Sequence, residues 1–461
     1  MKRSNTMSQA VPLLKKQSSM RNLLNLSFLL LLPAVTLTLF LPSLQAQRVY
    51  INDNVPSPAN HNTVYGFVNT YPTLTPITWA PWTTGGTSLL DDDPTKDQAI
   101  YEGYGAHCLY VAEPLPSTGR PNGDIAAFRI TPTGTNKGDL TLVNRFANPA
   151  GNKGTTYGIA LATRIKAPAL FAGYSTSNTI VSWEINLKTC GLTAKHQIAV
   201  FPLNTGWITG MAESSEVYAT RSTLVATYND GSIQSFHTPA GSYTITPDCA
   251  VAIDSTGYTD GNNSEPAGVD ITKDGKYAIF GDRVGNSPPH GPTELETVAL
   301  PITCSSVTTD FGGTIVASGS SLGSNIDSTN LWLSPNEKFI YVTNNGPNSP
   351  QGFTTVAYNE TFNTMSLATG CTSGFGNPIS LHNPSGGFFE PNGIQTSATT
   401  GNGTNVYVGE YISNSSPPSA VALLDVDASG CTQEVSGSPF SDPSGNHAGA
   451  NQLSAWPPRP F

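Results

Sequence analysis

A chain of 461 residues with only 12% charged residues, 44 Gly and 36 Pro excludes a protein built on long, charge-laced helices. That balance describes many short strands joined by turns, with enough length to bury a large core. A net charge of -10 with 22 Lys plus Arg excludes the clustered cations a nucleic-acid backbone demands; acidity of this degree serves solubility, with an acidic cavity for a cation or a basic ligand as the alternative.

At the amino end, Lys2, Arg3, Lys15, Lys16 and Arg21 precede an apolar run from Leu26 to Leu41, broken only by Ser27, Pro33, Thr36 and Thr38. The run is shorter than the roughly 20 residues of a membrane span, and it has the layout of a secretory signal peptide. Leu44-Gln45-Ala46 places cleavage near Ala46. Residues 1–46 are therefore expected to be a signal peptide and residues 47–461 one mature domain, secreted or periplasmic, with no membrane span of its own. An uncleaved amino-terminal anchor is the alternative, and it too leaves the folded part outside the cytoplasm.

Beyond residue 46 a unit of two apolar strands recurs seven times, its first strand starting near residues 49, 109, 170, 224, 277, 339 and 406, at spacings of 53 to 67 residues. Val49-Tyr50-Ile51-Asn52, Leu109-Tyr110-Val111-Ala112, Leu170-Phe171-Ala172 and Leu224-Val225-Ala226-Thr227 open the first four units. Tyr277-Ala278-Ile279-Phe280, Phe339-Ile340-Tyr341-Val342-Thr343-Asn344 and Val406-Tyr407-Val408-Gly409 open the rest.

A small-residue strand precedes the first strand in several units, as at Gly158-Ile159-Ala160 and Gly268-Val269-Asp270. An outer strand follows the second, often with a Leu-Thr pair, as at Leu140-Thr141 and Leu192-Thr193. Four strands per unit is the blade of an all-β, seven-bladed propeller, whose inner strands want small residues where they crowd a central channel. Val49 begins the domain with no inner strand before it, and Ala450-Asn451-Gln452-Leu453-Ser454-Ala455-Trp456 is a strand with no blade after it. Pairing these two ends closes the ring of antiparallel blades and removes an exposed edge.

Phe339-Ile340-Tyr341-Val342-Thr343-Asn344, preceded by Leu333-Ser334-Pro335-Asn336-Glu337-Lys338, resembles the blade signature of the YVTN-type seven-bladed propellers. That group is similar to the lactonases that open phosphogluconolactone and to the carboxymuconate cyclases. Asp274-Gly275-Lys276-Tyr277 and Val435-Ser436-Gly437-Ser438-Pro439-Phe440 extend the resemblance, which covers nearly all of residues 48 to 456. It implies the propeller fold. The lactonases place His and Arg where the inner strands open into the channel, in a Pro-His-Pro-His-like stretch, and this chain has no such stretch. No catalytic residue carries over.

The inner strands here begin Thr155-Thr156-Tyr157-Gly158, Trp207-Ile208-Thr209-Gly210, Glu265-Pro266-Ala267-Gly268, Asp327-Ser328-Thr329-Asn330, Glu390-Pro391-Asn392-Gly393 and His447-Ala448-Gly449-Ala450. Repeat alignment puts Glu265, Asp327, Glu390 and His447 at one register, facing one mouth of the channel, and these four are the candidate ligand-binding residues. No cofactor is required, and calcium is the ion such an oxygen-rich set would suit. Solvated polar groups at strand starts are the plainer reading of the same residues.

Cys190, Cys249, Cys304, Cys371 and Cys431 fall near the turn before the outer strand in five units, and equivalent turns of neighbouring blades are expected to lie beyond bridging distance. Most of the six cysteines are therefore expected to be unpaired, with a bridge from Cys108 left open. The function expected is that of an exported monomer that binds a small molecule or another protein through its channel mouth and its longer loops, residues 281–293 and 411–419. A lactonase-like hydrolase or cyclase is the alternative, so enzymatic activity stays open at this level.

Overall fold

In the computed structural model the chain separates into two units between Ala46 and Gln47. The structure describes residues 47–456 of the second unit apart from segments 54–60, 88–97, 104, 114–123, 150–155, 163–166, 175–176, 201, 204–205, 215–220, 254–263, 285–293, 312–326, 346–351, 383–388, 397–404, 413–418 and 442–451. Among the described residues every regular element is a strand, and no helix is long and apolar enough to cross a membrane.

The strands form seven antiparallel sheets of four or five strands. In the second blade the order from the axis outward is Gln98–Gly103, Ala106–Glu113, Asp124–Ile130 and Leu140–Ala147. In the third it is Thr156–Ala162, Ala169–Tyr174, Thr179–Ile185 and Leu192–Ala199, and in the fourth Ile208–Glu213, Arg221–Tyr228, Ser232–Pro239 and Thr246–Ala252. Blades five, six and seven begin with the inner strands Ser264–Ile271, Asp327–Leu333 and Phe389–Thr396, followed by the second strands Tyr277–Val284, Phe339–Asn345 and Asn405–Ile412. Each inner strand lies beside the inner strand of the next blade, all the way round.

The first blade takes its inner strand from the far end of the chain. Gln452–Trp456 pairs antiparallel with Gln47–Asn52, from Arg48 opposite Trp456 to Asn52 opposite Gln452. Thr63–Thr70 and Thr73–Pro76 complete it. The ring is therefore a closed seven-bladed propeller, as the orphan terminal strands predict.

Side chains alternate along each second strand, so every blade presents one apolar face to the blade before it and one to the blade after. Leu109 and Val111 pack with Tyr50, Val64 and Trp82 of the first blade, while Tyr110 and Ala112 pack with Leu170, Ala172 and Trp183 of the third. Among the described residues the core is accordingly seven clusters, one at each junction between successive blades. The β-branched and aromatic residues of the repeat are read by these junctions, not by the channel.

The expectation of mostly unpaired cysteines is overturned. Cys108 bridges Cys190, Cys249 bridges Cys304 and Cys371 bridges Cys431, with Cα separations of 5.6, 5.1 and 5.4 Å. The partners are not equivalent residues of neighbouring blades. Cys108 sits in a second strand and Cys190 in the turn before an outer strand, while Cys249 lies within an outer strand and Cys304 in the connection after a third strand. A turn leaning from one blade onto the face of the next closes the gap that equivalent turns would leave open. The bridges join blades two and three, four and five, and six and seven. The first blade has none and is held by strands from both ends of the domain.

Candidate functional site

Inner and second strands run antiparallel, so the start of each inner strand lies beside the end of the second, at one mouth of the channel. Glu265 pairs with Arg283, Asp327 with Asn345 and Glu390 with Tyr411, in each case the seventh residue of the second strand. The repeat alignment of these three is thus matched residue for residue by the backbone ladder. In each blade a register shift follows within three residues, where the inner strand bends into the ring. The side chains of Glu265, Asp327 and Glu390, and the whole of His447, lie outside the described residues. Trp207, just before the fourth inner strand, occupies the same register opposite Asn229, to which its carbonyl is hydrogen bonded by the Asn229 N–H at 3.0 Å.

A second polar register lies one step further in, at the end of the second strands. Glu113 pairs with Asp124, Tyr174 with Thr179, Tyr228 with Ser232, Asp282 with Glu294, Asn344 with Gly352 and Glu410 with Ala420, and Asp53 donates its N–H to the Thr63 carbonyl at the same place in the first blade. Asp53, Glu113, Tyr174, Tyr228 and Glu410 are fully buried. Sequence reasoning missed this ring. Its signal was the residue closing each apolar second strand, as in Tyr110-Val111-Ala112-Glu113 and Tyr407-Val408-Gly409-Glu410.

Glu113 shows what the register does. Facing back toward the first blade, its carboxyl oxygens each receive the Asn62 side-chain amide at 3.2 Å, and the same amide reaches Asn52 Oδ1 at 2.8 Å. Gly86 closes over it so tightly that a Cβ there would come within 2.3 Å of Glu113 Oε2, so any larger residue would displace the carboxyl. Asp124 alongside is ion-paired with Arg145 at 2.8 Å, and Arg145 Nη1 also donates to the Gly85 carbonyl.

Burial pushes the Glu113 carboxyl up to about 8, Asp124 adds to the rise, and Thr84, Asn62 and Arg145 oppose it. A carboxyl near neutrality suits acid–base chemistry. Full burial against Gly86 leaves this one no face for a substrate, so its work is to latch the first blade to the second. Glu410 is its counterpart in the seventh blade. There the carboxyl oxygens have no hydrogen-bond partner among the described residues, and burial, followed by the neighbouring Glu434, pushes the group well above the usual carboxylate range.

A carboxyl whose pKa is higher folded than unfolded binds its proton more tightly in the folded chain. Its contribution is complete below the unfolded value of 4.5 and is lost as pH rises through about 8. Across that window Glu113 is expected to lower stability by up to about 1.4 kcal/mol per pH unit. Glu113→Gln, neutral at all pH, is expected to flatten that slope and to be the more stable protein at the alkaline end. Urea midpoints measured across the window check this, and an unchanged slope in the variant would remove Glu113 as its source.

Among the described residues no group of three or more His, Cys, Asp or Glu is arranged to hold a metal ion. No protein-family model matches the sequence, and no curated protein matches it. Solved structures do match its fold. A candidate 6-phosphogluconolactonase from Bacteroides fragilis superposes with a TM-score of 0.59 at 12% identity, covering 90% of this chain and 99% of that one. A Lactobacillus plantarum protein gives 0.58 at 14% identity, covering 89% and 99%. The periplasmic gluconolactonase of Pseudomonas aeruginosa gives 0.54 at 14% identity, covering 86% and 98%. Likeness at this identity speaks for architecture and not for chemistry. By fold, the chain is a closed seven-bladed β-propeller, the architecture it shares with these structures.

Proposed function

We propose that the chain is an exported propeller that holds a small ligand at the channel mouth where Glu265, Asp327 and Glu390 begin three inner strands, with His447 of the same sequence alignment completing the set. The observation that carries this reading is the common backbone register of Glu265, Asp327 and Glu390. Three carboxylates begin adjacent strands around one opening, where low-dielectric walls focus their field on a cationic or hydroxylated ligand. Calcium is the metal such a set would accept. Export is supported by the basic leader and apolar run before residue 46 and by three disulfides, which persist in oxidising compartments.

A second reading, hydrolysis of a small lactone, is favoured by the gluconolactonase among the fold neighbours. In it a mouth carboxylate takes a proton from water, the water oxygen attacks the lactone carbonyl, and the ring C–O bond breaks as that proton passes to the departing ring oxygen, leaving a hydroxy acid. One experiment separates the two. Wild type and Glu390→Gln are titrated against a panel of lactones, sugar acids and calcium, following both binding heat and acid release. The binding reading expects retained ligand without turnover, weakened about tenfold or more by the substitution. Acid release that falls in the variant favours the hydrolase, and behaviour unchanged by the substitution removes Glu390 from either.

A further inference from the structure

At the end of the blades opposite the mouth, two carboxyls meet across a junction. Asp274 lies in the turn between Ser264–Ile271 and Tyr277–Val284 of the fifth blade, and Glu360 in the hairpin between Gly352–Asn359 and Thr364–Leu367 of the sixth. Their side chains are hydrogen bonded to each other. Two carboxylates offer acceptors and no donor, so that bond exists only while one of the pair carries a proton.

The surroundings decide which one. Asp274 Oδ1 accepts the Thr272 hydroxyl and the Lys276 N–H, each at 3.0 Å, and Oδ2 is ion-paired with the Lys276 ammonium. Against the effect of burial, bonds from Lys276, Glu360 and Thr272 hold the Asp274 carboxyl below its ordinary 3.8. Glu360 is half-buried, and Glu337 of the sixth blade, which accepts the Lys273 N–H, adds a second like charge beside it. Burial, then Asp274 and Glu337, push its carboxyl up to about 7 while Lys276 opposes, so Glu360 is the member that holds the proton. The Lys273 ammonium is turned onto the Pro335 carbonyl, and the phenols of Tyr277 and Tyr358 complete the titratable groups described around the pair.

The bond sits where it can act on a moving part. The same hairpin reaches the fifth blade a second time through Asn363 Nδ2, which donates to the Thr297 hydroxyl at 2.9 Å. The Asn363 N–H closes the turn on the Glu360 carbonyl at 3.2 Å, so both contacts belong to one short loop. Phe362 between them is 74% exposed and supplies no buried anchor, which leaves polar contacts to hold the tip.

We propose that Asp274 and Glu360 are a proton-operated catch that pins the 359–363 hairpin of the sixth blade to the fifth in acid and releases it as the surroundings turn neutral. In the closed state the Glu360 O–H donates to the Asp274 carboxylate. Because Glu360 binds its proton more tightly in place than in a free chain, its contribution is complete below 4.5 and is lost as pH rises through about 7. Asp274 works in the other sense, contributing above 3.8 and losing that contribution as pH falls through its lowered value. The catch lies at the far end of the blades from Glu265, Asp327 and Glu390, so it does not depend on what the mouth binds.

Carboxyl-carbon NMR titration, with Glu360 assigned by its absence in Glu360→Gln, tests this together with amide hydrogen exchange of the hairpin, each rate divided by that of an unstructured chain at the same pH. Glu360 is expected to titrate at about 7. Protection of the Asn363 amide is expected to fall roughly 3- to 30-fold as pH rises from 4.5 to about 7, and to level off above. In Glu360→Gln, whose amide keeps a donor for Asp274 at every pH, that fall is expected to vanish. In Asp274→Asn the Glu360 midpoint is expected to drop by about one pH unit or more.

A Glu360 midpoint near the ordinary 4.5, a midpoint unmoved in Asp274→Asn, or the same pH dependence of protection in wild type and Glu360→Gln would each overturn the proposal. Each variant is first shown by its melt to be folded. The wild-type exchange profile decides without them, since protection that stays flat across the window removes the catch.

Discussion

Removing residues 452–461 is expected to abolish the single cooperative unfolding transition of the domain. The strand Gln452–Trp456 supplies the inner edge of the first blade and pairs over its whole length with Gln47–Asn52. Leu453 and Ala455 are buried in the junction between the seventh and first blades, and Trp456 in the junction between the first and second. Trp456 also meets the His107 ring edge-on at 5.9 Å and lies under Lys137 Nζ at 5.4 Å.

Losing a buried Leu and a buried Trp costs about 2–5 and 3–5 kcal/mol respectively. Together that approaches the roughly 5–15 kcal/mol that holds a whole domain folded. The ring would open at the first blade and bare the polar edge of Gln47–Asn52, inviting association between chains. Calorimetry and size-exclusion chromatography of the truncated chain check this, with Trp456→Ala as the milder variant, expected to lose about 3–5 kcal/mol while remaining folded. A truncated chain that is monomeric and melts like the intact one would show that the ring does not depend on this strand.

Reduction of the three disulfides is expected to be the next most damaging change. The bridged cysteines are 82, 55 and 60 residues apart in sequence, so each bridge removes a long loop from the unfolded ensemble. A bridge of this kind contributes about 2–4 kcal/mol, and each pairwise replacement, such as Cys108→Ser with Cys190→Ser, is expected to lose that much. Because the bridges fall at separate junctions, the losses are expected to add when pairs are combined. Thiol titration of the denatured, unreduced protein should find no reactive cysteine. Denaturant midpoints unchanged by a double replacement would show that the corresponding junction gains nothing from its bridge.

The repeat was legible because a blade has a local pattern. Alternating apolar residues in Leu109-Tyr110-Val111-Ala112 and Val406-Tyr407-Val408-Gly409 must face two neighbouring blades at once, and that demand recurs in every unit. The common backbone register of Glu265, Asp327 and Glu390 was legible for the same reason, since strands of equal role begin at equal positions in the ladder, while His447 lies outside the described residues. The cysteines were misread because sequence equivalence says where a residue sits in its own blade and nothing about which turn leans onto its face.

Glu113 and Glu410 divide in the same way. Each is visible as a carboxylate ending an apolar strand, but the Asn62 amide and the Gly86 backbone around Glu113, and the burial of Glu410, come from parts of the chain distant in sequence. The sequence by itself determined the seven blades and the closure of the ring, because alternation and an unmatched strand at each end are properties of a chain read locally. Tertiary structure alone decided which cysteines meet and which carboxyls are stripped of water, because each depends on what a neighbouring blade brings within a few ångströms.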